Sequence, residues 1–323
     1  MPEIQTAEKR GLHYTETEKV IPLHEAVSLV RNGAHMCFSG FAHSLAPMAF
    51  VREMIRQKVR ELEITAMGEA WVVDMLSGAG ALRAVRFSNF MFEGWGRCRN
   101  FSREVEEGRL SVEDYSHFGI TNRFFASSIG LPFMPTKVIM GTDIYRIRSI
   151  EGEKKFHDFE DPFTGEKVLL VPSVRPDFAI IHASRADLNG NTQLIGISPN
   201  AELIAKASEK VIVTVEEIVE EDVIRRDPSH TILPSFLVDA VVRAPYGAHP
   251  AGMYRYYDYD PEHIDLYVEA SRSPESFVAY LDEYVHGVQD ETEYLQKIGL
   301  PRLLELRADP YFGYSLKVRG IDE

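Results

Sequence analysis

The chain has 323 residues, 45% of them hydrophobic, enough for a substantial core in one large α/β domain or two smaller ones. Its formal net charge is −14 at pH 7 and its lysines and arginines form nothing longer than short pairs, so the basic footprint that nucleic acid requires is missing. Two cysteines exclude a disulfide framework or a cysteine-rich zinc site, and no stretch reaches the ~20 apolar residues of a membrane span. With residues 1–19 polar and charged, a cytoplasmic protein with no membrane partner is expected.

Pro22 opens a helix whose Leu23, Ala26, Val27 and Val30 recur at i, i+3, i+4 and i+7, and Asn32-Gly33 stops it. Residues 34–39 are apolar enough for a buried parallel strand, in which Cys37 is expected simply to pack. Gly40-Phe41-Ala42-His43-Ser44 cannot continue that strand, so a turn follows. Pro47 then sits where a first-turn proline is tolerated. Beyond it Phe50, Val51, Met54 and Ile55 form an apolar stripe, with Arg52, Glu53, Arg56 and Gln57 on the other side. A loop between a strand's carboxyl end and a helix's amino end presents backbone N–H groups that suit a phosphate, a carboxylate or an oxyanion. Only one glycine follows the strand, so neither the dinucleotide nor the P-loop fingerprint is present.

A second strand is expected from the alternation of Leu62, Ile64 and Ala66, then a short helix through Trp71 and Met75, then a third strand over 84–90. Met91-Phe92-Glu93-Gly94-Trp95-Gly96 fits neither period and is a second candidate site loop. A charged helix ends over 103–108. Ser116 is placed to cap a helix carrying Ile120, Phe124 and Phe125, with His117 at its start. Residues 138–140 are expected to resume the sheet, and 142–167, with the turn Asp161-Pro162-Phe163-Thr164-Gly165, to form a surface excursion. Further parallel strands are expected at 168–171, 178–183, 211–215 and 236–242, with a tight turn over 187–191 and a helix over 201–207. The region 261–323 is helical. The whole, 1–323, is expected to be one doubly wound, mostly parallel α/β sheet flanked by helices with a helical carboxyl-terminal extension.

His35, His43, His117, His182 and His249 invite a metal or a catalytic base, but no ligand-spaced cluster exists and no metal is expected. His182 and His249 each read better as hydrogen-bonded core histidines than as catalysts. The loops 40–46, 91–96, 184–191 and 245–250 follow strand ends and are expected to share a rim. Glu216, Glu217, Glu220, Glu221 and Asp222 read as one solvated acidic face. Tyr254, Tyr256, Tyr257 and Tyr259 stack on a base or bury against a partner subunit, the second being preferred.

The run from Asn32 through Gly33, Ala34, His35, Met36, Cys37, Phe38, Ser39 and Gly40 to Phe41, followed by Pro47, resembles the signature of the A subunit of coenzyme A transferases. Ser39 and Leu45 stand where that pattern has glycines. The resemblance continues through Val112-Glu113-Asp114-Tyr115-Ser116, Gly130-Leu131-Pro132-Phe133-Met134-Pro135, Ile224-Arg225-Arg226-Asp227-Pro228 and Ala244-Pro245-Tyr246-Gly247-Ala248-His249-Pro250, and so covers most of the chain. It points to the glutaconate type.

That resemblance implies the A subunit of a hetero-oligomeric acyl-CoA:carboxylate CoA-transferase. Its B-type partner would supply the catalytic glutamate, a coenzyme A thioester would be substrate rather than bound cofactor, and a small carboxylic acid would be acceptor. This chain would shape the acyl pocket, with Ser39, Gly40, Phe41, Gly94 and His249 as substrate-binding candidates. Glu93 stands where such subunits carry serine and His117 where they carry glutamine, which makes the two candidates for acid-base work. Against that stands the plainer reading that Glu93 is exposed and His117 only begins its helix. Two alternatives remain: an acyl-CoA hydrolase or decarboxylase subunit on the same fold, and a non-enzymatic ligand-binding or regulatory protein.

Overall fold

The structure, a computed structural model, describes residues 18–321 with the exception of 148 and 153, so the polar stretch read from residues 1–19 lies almost wholly outside the described residues. α1 (Leu23–Ser28) follows Pro22 and buries Ala26 and Val27, and β1 (His35–Phe38) begins after a left-handed Gly33. α2 (Met48–Arg56) starts directly after Pro47. The unit repeats as β2 (Leu62–Thr65), α3 (Ala70–Gly78) and β3 (Leu82–Phe87). The expected site loop after it is a small hairpin, β4 (Met91–Phe92) and β5 (Gly96–Arg97), leading into α4 (Arg99–Glu106) and the edge strand β6 (Ser111–Asp114). Ser116 does cap α5 (His117–Ser128), its hydroxyl accepting the Gly119 amide at 3.0 Å.

The expectation of a parallel strand at 138–140 fails. Those residues form a turn, and the strand is β7 (Phe133–Thr136), followed by the short α6 (Asp143–Arg146). With β8 (His157–Glu160) and β9 (Lys167–Pro172), β7 builds a separate three-stranded antiparallel sheet in the order β7-β9-β8. Both misread segments carry the reason. Pro135 removes a ladder donor and is tolerated because β7 is an edge. β9 alternates exposed and buried positions, the pattern of a half-solvated antiparallel strand rather than one covered on both faces.

The chain then returns to the main sheet with β10 (Phe178–Ala186), β11 (Thr192–Gln193), α7 (Ala201–Ala207), β12 (Lys210–Ile218), α8 (Glu221–Arg226), β13 (Thr231–Leu233) and β14 (Ala240–Arg243). The last strand is shorter than expected because 235–237 make a 3-10 turn. Parallel pairing gives the order β14-β12-β10-β1-β2-β3-β6, with β11 and β13 added antiparallel at the far end of β10. Residues 178–184 are all buried, as a strand with neighbours on both edges and layers on both faces must be.

Five helices complete the chain: α9 (Pro261–Ala270), α10 (Pro274–Leu281), α11 (Glu291–Ile298), α12 (Leu300–Leu306) and α13 (Leu316–Arg319). α9, α10 and α11 lie over α2 and α3. Tyr267 packs its ring 5.1 Å from Trp71 and donates its hydroxyl to the buried Asp74 at 2.9 Å. Gly78 allows the approach of Phe277, whose ring fills the space that a Cβ there would need. This covering corrects the amphipathic reading of α2. Arg52 on its polar side is only 1% exposed, bonded through Nε and Nη2 to Glu291, through Nη1 to the His249 carbonyl at 2.8 Å, and stacked 3.7 Å over Tyr294.

Candidate functional site

The loop after β1 is held in an unusual backbone path. Gly40 has φ 124°, and a Cβ there would meet Ala46 and the Ser44 carbonyl at 3.2–3.3 Å. Ala42 and Leu45 are also left-handed, with φ 51° and 62°. Leu45 thus takes up the conformation that a glycine would adopt without strain, at the position where the resembled pattern has one. Ser39 fixes the loop from beneath: its buried hydroxyl donates to the Leu45 carbonyl at 2.8 Å and accepts the His182 amide at 2.9 Å. Phe41 and Ser44 exchange backbone bonds, and the Leu45 amide reaches Gly252. The amides of Ala42 and His43 donate to nothing among the described residues. At the head of α2, by contrast, the Met48 and Ala49 amides are already taken by Ala46 and Gly247.

His43 joins this loop to the β4–β5 hairpin. Its Nδ1 accepts from Trp71 Nε1 at 3.1 Å, which leaves Nε2 as the donor to the Glu93 carbonyl at 2.7 Å. Burial lowers the pKa of the imidazole, against the pull of Glu93, so it stays neutral at pH 7 and acts as a clamp.

Between these loops lies a cleft of about 530 Å³. Ala42, His43 and Glu93 form one wall, 195–197 another, and Tyr254, Tyr259, Tyr314 and Arg319 the rest. Arg319 stacks on Tyr259 and Tyr314 while both its Nε and Nη2 bond Asp258, at 2.7 and 2.9 Å. Under the cleft Tyr257 donates to Glu216 at 2.6 Å, and the same carboxylate meets His182 at 2.8 Å and accepts the Tyr246 amide. Burial and then Glu216 push the Tyr257 phenol well above its ordinary pKa. A larger hollow of about 730 Å³ lies between α1, the end of β14 and α11–α12, but it is lined by neither of the loops after β1 and β3.

The sequence-derived candidates separate on this geometry. Glu93 is exposed and lines the cleft; Gly94 turns the hairpin with φ 84°. Phe41 lies at the outer side of the loop, its ring 5.6 Å from that of His117, whose Nδ1 meets Ser88 Oγ at 2.7 Å. His117 does not line the cleft, so the pair Glu93 and His117 is not brought together. His249 does not reach it either: its fully buried ring bonds Tyr294 at 2.7 Å and Asp260 at 3.0 Å. Of the four loops expected to share a rim, 40–46 and 91–96 do. The turn over 187–191 borders a different hollow, and the 245–250 loop docks on α2 through Gly247.

Two readings are corrected outright. Glu216 is not on a solvated face but 5% exposed, because β12 is covered on both faces from Val211 to Glu216 and Tyr257 packs over its carboxylate. Tyr257 borders the cleft from beneath but is buried within this chain and so is not free for a partner, whereas the partly exposed Tyr254 and Tyr259 line the cleft with it. Residues 195–197, Tyr314 and Arg319 carry no local signal that could have marked them. A further buried acid, Glu69, sits just below the site: burial raises its pKa to about 8, and it accepts from the Gly68 amide and from Asn200.

The sequence profile of the coenzyme A transferase family matches residues 20–244. The chain is 36% identical to the A subunit of glutaconate CoA-transferase from Acidaminococcus fermentans, over 94% of this chain and 99% of that one. It is 35% identical to the A subunit of 3-oxoadipate CoA-transferase from Pseudomonas knackmussii, over 87% and 98% of the two. The crystal structure of the Acidaminococcus glutaconate enzyme superposes with a TM-score of 0.89 over 94% of this chain and 99% of its own. That of the decarboxylase AibA/AibB does so with 0.70 and 29% identity, over 87% of this chain and 98% of its own.

Proposed function

Because the chain belongs to the coenzyme A transferase family, we propose that it is the A subunit of a hetero-oligomeric acyl-CoA:carboxylate CoA-transferase of the glutaconate type. The observation that carries this reading is the near-complete superposition on the glutaconate enzyme, combined with a cleft at the loop after β1. Within that cleft the Ala42 and His43 amides supply two N–H donors to a substrate carboxylate or to the oxyanion that forms when a thioester is attacked. Neutral His43 adds no charge there, and the tyrosine walls exclude water from one side.

The nucleophile belongs to the B-type partner. Its carboxylate attacks the thioester carbonyl, the C–S bond breaks, and coenzyme A leaves as thiolate, giving a mixed anhydride. The thiolate then attacks the carboxyl carbon of the partner's own group. This releases the first acid and leaves a thioester on the partner. A small carboxylic acid enters and the same two steps run in reverse, so no proton need be stored in this chain.

Co-expression with a B-type subunit, followed by purification and assay of coenzyme A exchange between an acyl-CoA and acetate, tests the reading. Exchange by the complex and none by the isolated chain is expected; full activity from this chain alone would overturn it. A second reading is favoured by the AibA/AibB likeness together with Glu93 at the cleft: a decarboxylase subunit. Glu93→Ser and His117→Gln complexes followed over roughly pH 5 to 9, where an imidazole and a perturbed carboxylate titrate, separate the two. Unchanged exchange rates and pH profiles leave the transferase reading without acid-base help from either residue.

A further inference from the structure

On the face of the sheet that carries α5, a recess of about 330 Å³ shares no lining residue with the cleft. Its floor is the row His35, Glu63, Arg86 and Glu113, one residue from each of β1, β2, β3 and β6, and its walls are Arg123 of α5, residues 172–175 and the side of the excursion that carries Glu151, Lys154 and Lys155. In a chain of net charge −14, this lining holds five cations, Arg86, Arg123, Lys154, Lys155 and Arg175, against three carboxylates.

The carboxylates are already spent. Arg86 bonds Glu63 at 2.7 Å and Glu151 at 2.5 Å and lies 3.4 Å from Glu113, which also accepts the Tyr115 hydroxyl and the Ile150 amide. Lys155 is taken up by Asp114. Three cations are left over. Arg123 is only 7% exposed, yet among the described residues it makes no ion pair and its Nη1 has no partner: Nε donates to the Pro172 carbonyl at 3.2 Å, and the guanidinium lies 4.7 Å over Tyr115. Lys154 and Arg175 are exposed and likewise unpaired. A buried guanidinium without a counter-ion is costly, and a second charge close by makes it costlier.

We propose that this recess is an anion site that takes a small oxygen dianion, a phosphate or a short dicarboxylate, between the guanidinium of Arg123 and the side chains of Lys154 and Arg175. A dianion there meets all three leftover cations and offsets two of their three charges, and the volume is at the low end of ligand cavities, which suits a small anion. Burial depresses the Arg123 pKa and burial with Arg86 holds His35 at about 4, so the floor histidine is neutral at pH 7 and adds nothing to the count.

Titration calorimetry on the purified full chain, with or without its partner, tests the site independently of turnover. Inorganic phosphate and glutarate are the probes, each at ionic strength held constant with sodium chloride. Saturable binding of one anion per chain is expected. It should weaken at least tenfold in the Lys154→Ala/Arg175→Ala double variant, whose side chains are exposed and hold nothing else in place, and vanish in Arg123→Met. Preference for phosphate identifies a phosphoryl ligand, preference for glutarate a dicarboxylate. No saturation with either probe, or undiminished affinity in the double variant, overturns the proposal, even if Arg123→Met fails to fold.

Discussion

Gly40 sits at φ 124° with Ala46 closing in on the position of a Cβ, so any side chain there meets both a strained backbone and a close neighbour. Gly40→Ala is expected to cost ~1–3 kcal/mol and to lower kcat/KM of the reconstituted enzyme by displacing the Ala42 and His43 amides. Denaturant midpoints and steady-state kinetics on the same variant check the two effects. Glu69 gives a pH signature. Its folded pKa, about 8, lies above the ordinary carboxylate value of 4.5, so the folded chain binds more protons than the unfolded one between those values, and stability falls as pH rises from about 4.5 to 8. Glu69→Gln should remove a slope of up to ~1.4 kcal/mol per pH unit in that window, visible as a flatter plot of unfolding free energy against pH. What sequence could tell about such residues was uneven. Gly40 announced itself because a glycine ending an apolar run has few other uses. Leu45 concealed its left-handed backbone; Ser39 became a ligand candidate through the resemblance, although its hydroxyl is bonded within the core, and His249 is the hydrogen-bonded core histidine that its residue pattern suggested.

α2 shows how far periodicity reaches at the scale of an element. Its apolar stripe was legible from Phe50, Val51, Met54 and Ile55, and so was its start at Pro47. The burial of Arg52 was not, since the group that covers it, Glu291, lies 239 residues away. Arg52→Met should destabilise the chain by ~1–3 kcal/mol, because the His249 carbonyl loses its donor and the partly buried Glu291 keeps only Arg56. The pair Arg52→Met/Glu291→Leu should recover a large part of that loss, and a double-mutant cycle of urea unfolding measures the coupling. If the single variant were as stable as the parent, the clamp between α2 and the carboxyl-terminal helices would have no energetic role. β7 and β9 mark the opposite limit. β9 was readable as an extended segment, whereas β7 was expected five residues too late, at 138–140; membership of a second sheet depends on which edge such strands meet, which a single-sequence pattern does not encode.

At the scale of the molecule, the alternation of strands and helices sufficed for the parallel sheet and the helical extension, while the cleft is assembled from pieces that no motif links. Tyr314 and Arg319 face residues 42–45 across it, and Arg319 holds the buried Asp258. A chain ending at Pro310 should keep the sheet, lose ~1–3 kcal/mol for the unpaired carboxylate, and raise KM for the acyl-CoA while the complex still forms; kinetics and analytical ultracentrifugation check this.

The meeting of residues 42–45 with Tyr314 and Arg319 in one cleft also orders events during synthesis. Residues 42–45 leave the ribosome well before Arg319, by an interval on the order of tens of seconds at the ~5–20 residues per second of translation. Throughout that interval the sheet has its first strands but the cleft lacks a wall. A ligand that needs all its walls therefore reads whether Tyr314 and Arg319 are in place, and a nascent or clipped copy without them cannot compete for it.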